Sequence, residues 1–224
     1  MAKFSRVEII NKIFEVKVLP LFYHDEVESS VEVIKACSKA GAKVIEFTNR
    51  GEKAYPIFSE VLKIIAKEDD TVILGIGSVI DAPTAALFMA VGANFIVGPS
   101  FNHEIAKLCN RRKMLYIPGT ATATEIATAE EYGAEICKIF PGSTIGGPSF
   151  IKSVMAPCPW HRLMPTGGVD ATEESISSWI KAGAVAVGMG SNLITPQTFK
   201  EKTYTEITEK VVKSIEWARK AKTM

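Results

Sequence analysis

The chain is poor in the residues that build metal centres. Of its 224 residues only three are histidines, His24, His103 and His161, and they are scattered without a metal-ligand spacing such as His-x-x-x-His. A structural zinc site or a metal-dependent hydrolase is therefore not expected, and neither a metal nor any other cofactor is expected. The four cysteines, Cys37, Cys109, Cys137 and Cys158, form no Cys-x-x-Cys pair and lie in or near apolar or helical stretches. They read as reduced thiols of a cytoplasmic protein. No stretch approaches the roughly 18 uninterrupted apolar residues of a membrane span, and the start, MAKFSRVEIINKIF, has no apolar core of signal-peptide length. No membrane partner is expected. Excess charge of one sign is also missing. Lys plus Arg is 26 and Asp plus Glu is 25, which leaves a formal charge of +1 and argues against a nucleic-acid partner.

What is present is a regular alternation. Short β-branched runs fall at Val16–Phe22, Lys43–Thr48, Thr71–Gly75, Asn94–Val97, Met114–Ile117, Glu135–Phe140, His161–Pro165 and Ala184–Gly188, with amphipathic segments between them. Val27, Val31 and Ile34, for example, share one helix face. Asp25 with Glu28, Thr122 with Glu125 and Asp170 with Glu173 have capping-box spacing. Eight strand–helix units over residues 1–224, with no linker or composition shift, predict a single-domain (β/α)8 TIM barrel. A helix over about Ser5–Phe14 precedes it. A helical tail follows, with Ile207, Val211, Ile215 and Ala218 as its buried stripe. The rival, a doubly wound open sheet, lacks its Gly-x-Gly-x-x-Gly fingerprint after the first strand.

A repeat sharpens this reading. Gly41-Ala42, Gly92-Ala93, Gly133-Ala134 and Gly183-Ala184 each close a helix before an even-numbered strand. Five residues beyond each glycine lie Glu46, Val97, Lys138 and Gly188. In a closed eight-stranded barrel, alternate strands supply one layer of four inward side chains. Glu46 and Lys138 are then expected in one layer near the C-terminal strand ends. Each sits in an otherwise apolar strand, where an unpaired charge is costly. Either the two form a buried pair that only fixes the barrel, or they do chemistry. A buried lysine can lose its proton and attack a ketone to form a Schiff base, and a carboxylate beside it can move protons.

The surrounding loops suit a small anionic ligand. Arg50, just past the second strand, can grip a carboxylate with its forked guanidinium. Gly75-Ile76-Gly77-Ser78 lets backbone approach a ligand and offers a hydroxyl. Pro165-Thr166-Gly167-Gly168-Val169 and Gly188-Met189-Gly190-Ser191 end the seventh and eighth strands, where such barrels bind phosphate.

Val18-Leu19-Pro20, Glu46-Phe47-Thr48-Asn49-Arg50, Gly75-Ile76-Gly77-Ser78-Val79, Ile117-Pro118-Gly119, Lys138-Ile139-Phe140-Pro141 and Pro165-Thr166-Gly167-Gly168 occur in this order. Together they resemble the family of 2-keto-3-deoxy-6-phosphogluconate (KDPG) aldolase and 4-hydroxy-2-oxoglutarate (KHG) aldolase. The resemblance implies a class I lyase, a homotrimer and a small 2-keto acid substrate. It implies Lys138 as the Schiff-base lysine and Glu46 as the general acid/base. Arg50, Ser78, Pro99 and Phe140 would surround the pyruvyl unit, and Gly167, Gly168, Gly190 and Ser191 would hold a phosphate. Ser78 stands where the family usually has Thr, and Pro99-Ser100 where it usually has Pro-Gly. Gly142-Ser143-Thr144 replaces an Ala-Glu type segment, and the tail is longer. These departures bear on the aldehyde partner, not on the lysine, glutamate or arginine. Two other readings use the same residues: a phosphorylated-metabolite isomerase, epimerase or synthase without an imine, and a non-catalytic phosphate-ligand binding protein.

Overall fold

A computed structural model describes residues 2–221. Its first half runs α1 (Arg6–Val16), β1 (Val18–Phe22), α2 (Val27–Lys39), β2 (Val44–Thr48), α3 (Ala54–Glu68), β3 (Ile73–Gly77), α4 (Ala82–Val91), β4 (Phe95–Val97) and α5 (His103–Arg112). The second half runs β5 (Leu115–Ile117), β6 (Gly119–Thr120), α6 (Ala123–Glu131), β7 (Cys137–Ile139), α7 (Gly147–Met155), β8 (Leu163–Pro165), α8 (Glu173–Lys181) and β9 (Val187–Met189). The tail forms α9 (Pro196–Glu201) and α10 (Tyr204–Lys220).

The strands are all parallel and lie in a six-stranded sheet, β5-β4-β3-β2-β1-β9, and a three-stranded sheet, β6-β7-β8. Nine strands appear where eight were expected because the fifth is split at Pro118. Proline has no N–H to donate to a ladder. The residues before it pair with β4, and those after it pair with β7. At the other junction a bridge joins Thr166 to Gly188, and the Val185 N–H donates to the Leu163 carbonyl at 3.0 Å. The parallel strands are thus curled, with helices on their outer face.

The curl encloses a small apolar interior. Leu19, Val44, Ile73, Phe95, Leu115, Ile136, Met164 and Ala186 form it, and Ile9, Ile10 and Ile13 of α1 join the same cluster. Helix α1 therefore plugs the end of the sheet where the strands begin. Its start is a true capping box, Ser5 with Glu8. Val44, Phe95, Ile136 and Ala186 lie three residues beyond the four repeat glycines, so the repeat marks real layers. The glycines themselves all have left-handed φ, from 83° to 115°. A larger apolar layer lies between strands and helices, and Ile207, Val211, Ile215 and Ala218 of α10 are buried in it as the stripe predicts.

Two expected caps are corrected. Helix α2 starts at Val27 after Glu26, with no side-chain cap bond, so Asp25 falls one residue too early. Helix α8 is capped by Thr172, which accepts from the Ser175 N–H, while Asp170 instead accepts from the Asn192 amide at 2.7 Å. The Thr122–Glu125 box forms as expected. Cys37, Cys109 and Cys137 are buried free thiols, and Cys158 is half-buried. Among the described residues no helix is long and apolar enough to cross a membrane.

Candidate active site

The C-terminal ends of the strands surround an open cavity of about 500 Å³. Its wall includes Arg50 beyond β2, Phe140 beyond β7, Thr166, Gly167 and Gly168 beyond β8, and Gly188, Gly190 and Ser191 of β9 and the loop after it. Sequence reasoning pointed to most of these, and the fold brings them to one place.

Glu46 and Lys138 are buried behind this wall. Glu46 is the central residue of β2 and only 1% exposed, and Lys138 is the central residue of β7 and 6% exposed. Space for the Glu46 carboxylate exists because β3 ends in glycine. A Cβ at position 77 would sit 1.7 Å from Oε1 of Glu46. The Lys138 Nζ lies 4.7 Å from the centroid of the Phe140 ring, which faces the cavity. No direct ion pair joins Lys138 to Glu46 or to any other carboxylate among the described residues, yet the two charges are near enough to act on each other.

Their protonation follows from burial. Desolvation pushes the Glu46 carboxyl above its ordinary range, and the positive charges of Lys138 and Arg50 only partly oppose it. Desolvation pulls the Lys138 amine below its ordinary range, with Glu46 opposing and Arg50 adding to the shift. Both shifts favour the uncharged forms, an amine with a free lone pair and a carboxyl that holds a proton. The two titrate as a coupled pair.

Gly167 and Gly168 have left-handed φ of 85° and 78°, a conformation that favours glycine. A Cβ at Gly168 would also lie 2.1 Å from Oγ of Ser143. Ser143 donates its N–H to the Gly167 carbonyl at 3.0 Å, so the segment after Pro141 braces the glycine loop. Ser78 and Pro99 do not line the cavity. Ser78 follows Gly77 with a left-handed φ of 58°, and the Pro99 carbonyl is pressed against Gly119.

Several residues of the site had not been singled out. Thr166 is buried, its Oγ1 has no hydrogen-bond partner among the described residues, and it faces the Cα of Gly188. An unpaired buried hydroxyl is uncommon in a native fold and is a donor ready for a ligand. Thr166 does stand beside the flagged Gly167-Gly168, but nothing in the sequence marks its hydroxyl as unpaired. His24 and Phe199 stack at the cavity rim, with ring centroids 4.3 Å apart. Phe199 comes from the tail, which carries no motif. Among the described residues no group of three or more His, Cys, Asp and Glu side chains could hold a metal ion.

The family model for KDPG and KHG aldolase matches residues 9–210. A 2-dehydro-3-deoxy-phosphogluconate aldolase of Treponema pallidum is 29% identical over 90% of this chain and 93% of its own length. A 2-dehydro-3-deoxy-6-phosphogalactonate aldolase of Escherichia coli K12 is 35% identical over 62% of this chain and 67% of its own. The fold resembles the crystal structure of the 2-keto-3-deoxy-6-phosphogluconate aldolase from Zymomonas mobilis, with a TM-score of 0.82 at 23% identity, covering 95% of this chain and 98% of that one.

Proposed function

The chain belongs to the KDPG and KHG aldolase family and is a carbon–carbon lyase, and from that premise we propose that it cleaves 2-keto-3-deoxy-6-phosphogluconate to pyruvate and glyceraldehyde 3-phosphate through a Schiff base on Lys138. Cleavage of 4-hydroxy-2-oxoglutarate to pyruvate and glyoxylate uses the same steps. The observation that carries the proposal is a buried lysine with a lowered pKa, in one inward layer with a buried carboxyl whose pKa is raised.

The neutral Lys138 amine attacks the C2 carbonyl. Glu46 gives a proton to the departing oxygen, and water leaves to form the iminium. Glu46, now a carboxylate, accepts the C4 hydroxyl proton through water. The C3–C4 bond breaks, its electrons pass to the iminium nitrogen, and the aldehyde departs. The enamine is protonated at C3, and hydrolysis releases pyruvate and restores the lysine. Arg50 holds the pyruvyl carboxylate, and Phe140, whose ring lies against Lys138, packs on the pyruvyl unit. The resemblance also assigns Ser78 and Pro99 to the pyruvyl unit, although neither lines the open cavity. Gly167, Gly168, Gly190 and Ser191 supply the phosphate cradle. The donors are fixed by the fold before substrate arrives, which is the basis of electrostatic preorganisation.

The same reading takes residues 1–224 as one closed (β/α)8 unit, supported by the Thr166–Gly188 bridge and by the strand that passes from one sheet to the other at Pro118. It takes the assembly as a homotrimer, as the family resemblance implies. It places the protein in the cytoplasm, in keeping with its free thiols. The test is pyruvate release from a panel: the phosphorylated gluconate and galactonate 2-keto-3-deoxy acids, their unphosphorylated forms, and 4-hydroxy-2-oxoglutarate. Fastest release from the phosphogluconate derivative is expected. Release of pyruvate from none of them would overturn the proposal.

A further inference from the structure

The proposed phosphate cradle is made of backbone N–H groups and one hydroxyl. A phosphate carries close to two negative charges, and neutral donors alone leave it without a strong side-chain partner. Of the described residues that line the cavity, only Arg50 and His24 are basic. Arg50 is assigned to the opposite end of the substrate, where the pyruvyl carboxylate sits. His24 stands in the loop after β1, and β1 pairs directly with β9. The other neighbour of β1 is β2, which leads to Arg50, so the His24 loop lies between the Arg50 loop and the loop that carries Gly190 and Ser191, and its ring leans on Phe199 of the segment that follows the latter.

The imidazole is held from two directions. Its Nδ1 accepts a hydrogen bond from the Glu26 N–H at 3.2 Å. Its face lies on the Phe199 ring at 4.3 Å and an interplanar angle of 22°. A neutral imidazole that accepts at Nδ1 carries its proton at Nε2. The ring is thus a fixed donor rather than a free surface side chain, and it is only 20% exposed. Phe199 is supplied by α9, the short helix of the longer tail, which also places Ile194 and Pro196 on the cavity.

We propose that His24 is a specificity-determining residue that donates its Nε2–H to the terminal phosphate of the substrate, and that Phe199 of the tail is its positioning residue. The proposal rests on the aldolase reading above and assigns a role to the tail in choosing between phosphorylated and unphosphorylated 2-keto acids. Affinity for the phosphate end is then set partly by a ring held between β1 and α9, apart from the bond-breaking groups.

The test compares 2-keto-3-deoxy-6-phosphogluconate with 2-keto-3-deoxygluconate on three variants of the full chain. His24→Phe keeps the stack and removes the donor. His24→Gln returns a donor without the ring. Phe199→Ala keeps the histidine and removes its support. For His24→Phe the expected result is a KM raised about 10- to 100-fold for the phosphorylated acid, the range for a hydrogen bond to a charged group. A much smaller change is expected for the unphosphorylated acid, with kcat little altered. His24→Gln should recover part of the loss, and Phe199→Ala should show the same substrate-selective loss in milder form. Equal losses on both substrates, or no loss on the phosphorylated one, would overturn the role of His24. Borohydride trapping of pyruvate on the unmodified protein separates the two levels: no trapping sinks the aldolase reading and this proposal with it, whereas normal trapping with equal losses sinks this proposal alone.

Discussion

Gly77→Ala tests whether the position of the Glu46 carboxylate sets the rate. Gly77 has no left-handed φ, so alanine brings no backbone strain there. Its one new atom would stand 1.7 Å from Oε1 of Glu46, 2.4 Å from Cδ and 2.8 Å from Cγ. An ordinary contact begins near 3.4 Å, so the carboxylate must retreat by 3.4 − 1.7 = 1.7 Å or the strand must shift. Overpacking of this kind costs about 1–3 kcal/mol of stability, which a chain with an extensive core can absorb. The catalytic cost is larger in proportion. A misplacement of about 1 Å can lower a rate 10²-fold, so a fall in kcat of at least about 10²-fold is expected. The assay is coupled pyruvate release, with thermal unfolding and pyruvate–borohydride trapping alongside. Trapping should persist, because the amine on β7 is untouched. Turnover within about two-fold of the parent, in a folded variant, would refute the assignment of proton transfer to Glu46 at this position.

Three further outcomes follow from the same geometry. Ser191→Asp sets a carboxylate against the proposed phosphate cradle and should raise KM for the phosphorylated substrate far more than for its unphosphorylated analogue; Gly168 is a poorer probe, because any side chain there meets both a left-handed φ and Ser143. Thr166→Val removes a buried hydroxyl that has no partner among the described residues, so the protein should unfold no more easily, and by up to about 1 kcal/mol less easily, while kcat/KM falls; a loss of stability would mean that the hydroxyl is satisfied within the fold. The rate of pyruvate trapping should rise with pH as Lys138 loses its proton, with its midpoint below the ordinary lysine value of 10.5. Because Glu46 opposes that lowering, Glu46→Gln should move the midpoint to lower pH if it moves it at all; an upward shift would contradict the stated electrostatics.

The inner layer was legible in the sequence because the Gly-Ala repeat fixes where each even strand begins. Counting from it placed Glu46 and Lys138 together without any contact information. The loop after β8 was legible for a similar reason: the Gly167-Gly168 pair at the strand end carries left-handed φ, and that is a local property. Strand ends were less so. The fifth strand was expected to end at Ile117, yet pairing resumes beyond Pro118 with a different neighbour, β7. Asp25 and Asp170 had capping-box spacing, but tertiary packing started their helices one and two residues later. Thr166 could not be seen as unpaired, because an unsatisfied hydroxyl is defined by neighbours distant in sequence. His24 and Phe199 meet across 175 residues, and neither stands in a motif. Ser143 was visible only as a departure from a family pattern, and its role as a brace for Gly168 needed the fold.

Lys138 is the one buried lysine among the described residues, and desolvation lowers its pKa. Hydrated, protonated ammonium groups on a protein surface are poor nucleophiles at neutral pH. Reduction of the pyruvate complex with borohydride, followed by peptide mass mapping, therefore tests the central claim most directly. The account predicts one three-carbon adduct per chain, on Lys138, with turnover lost in proportion and both trapping and turnover abolished in a folded Lys138→Met variant. An adduct on any other lysine, or turnover surviving in Lys138→Met, would contradict it.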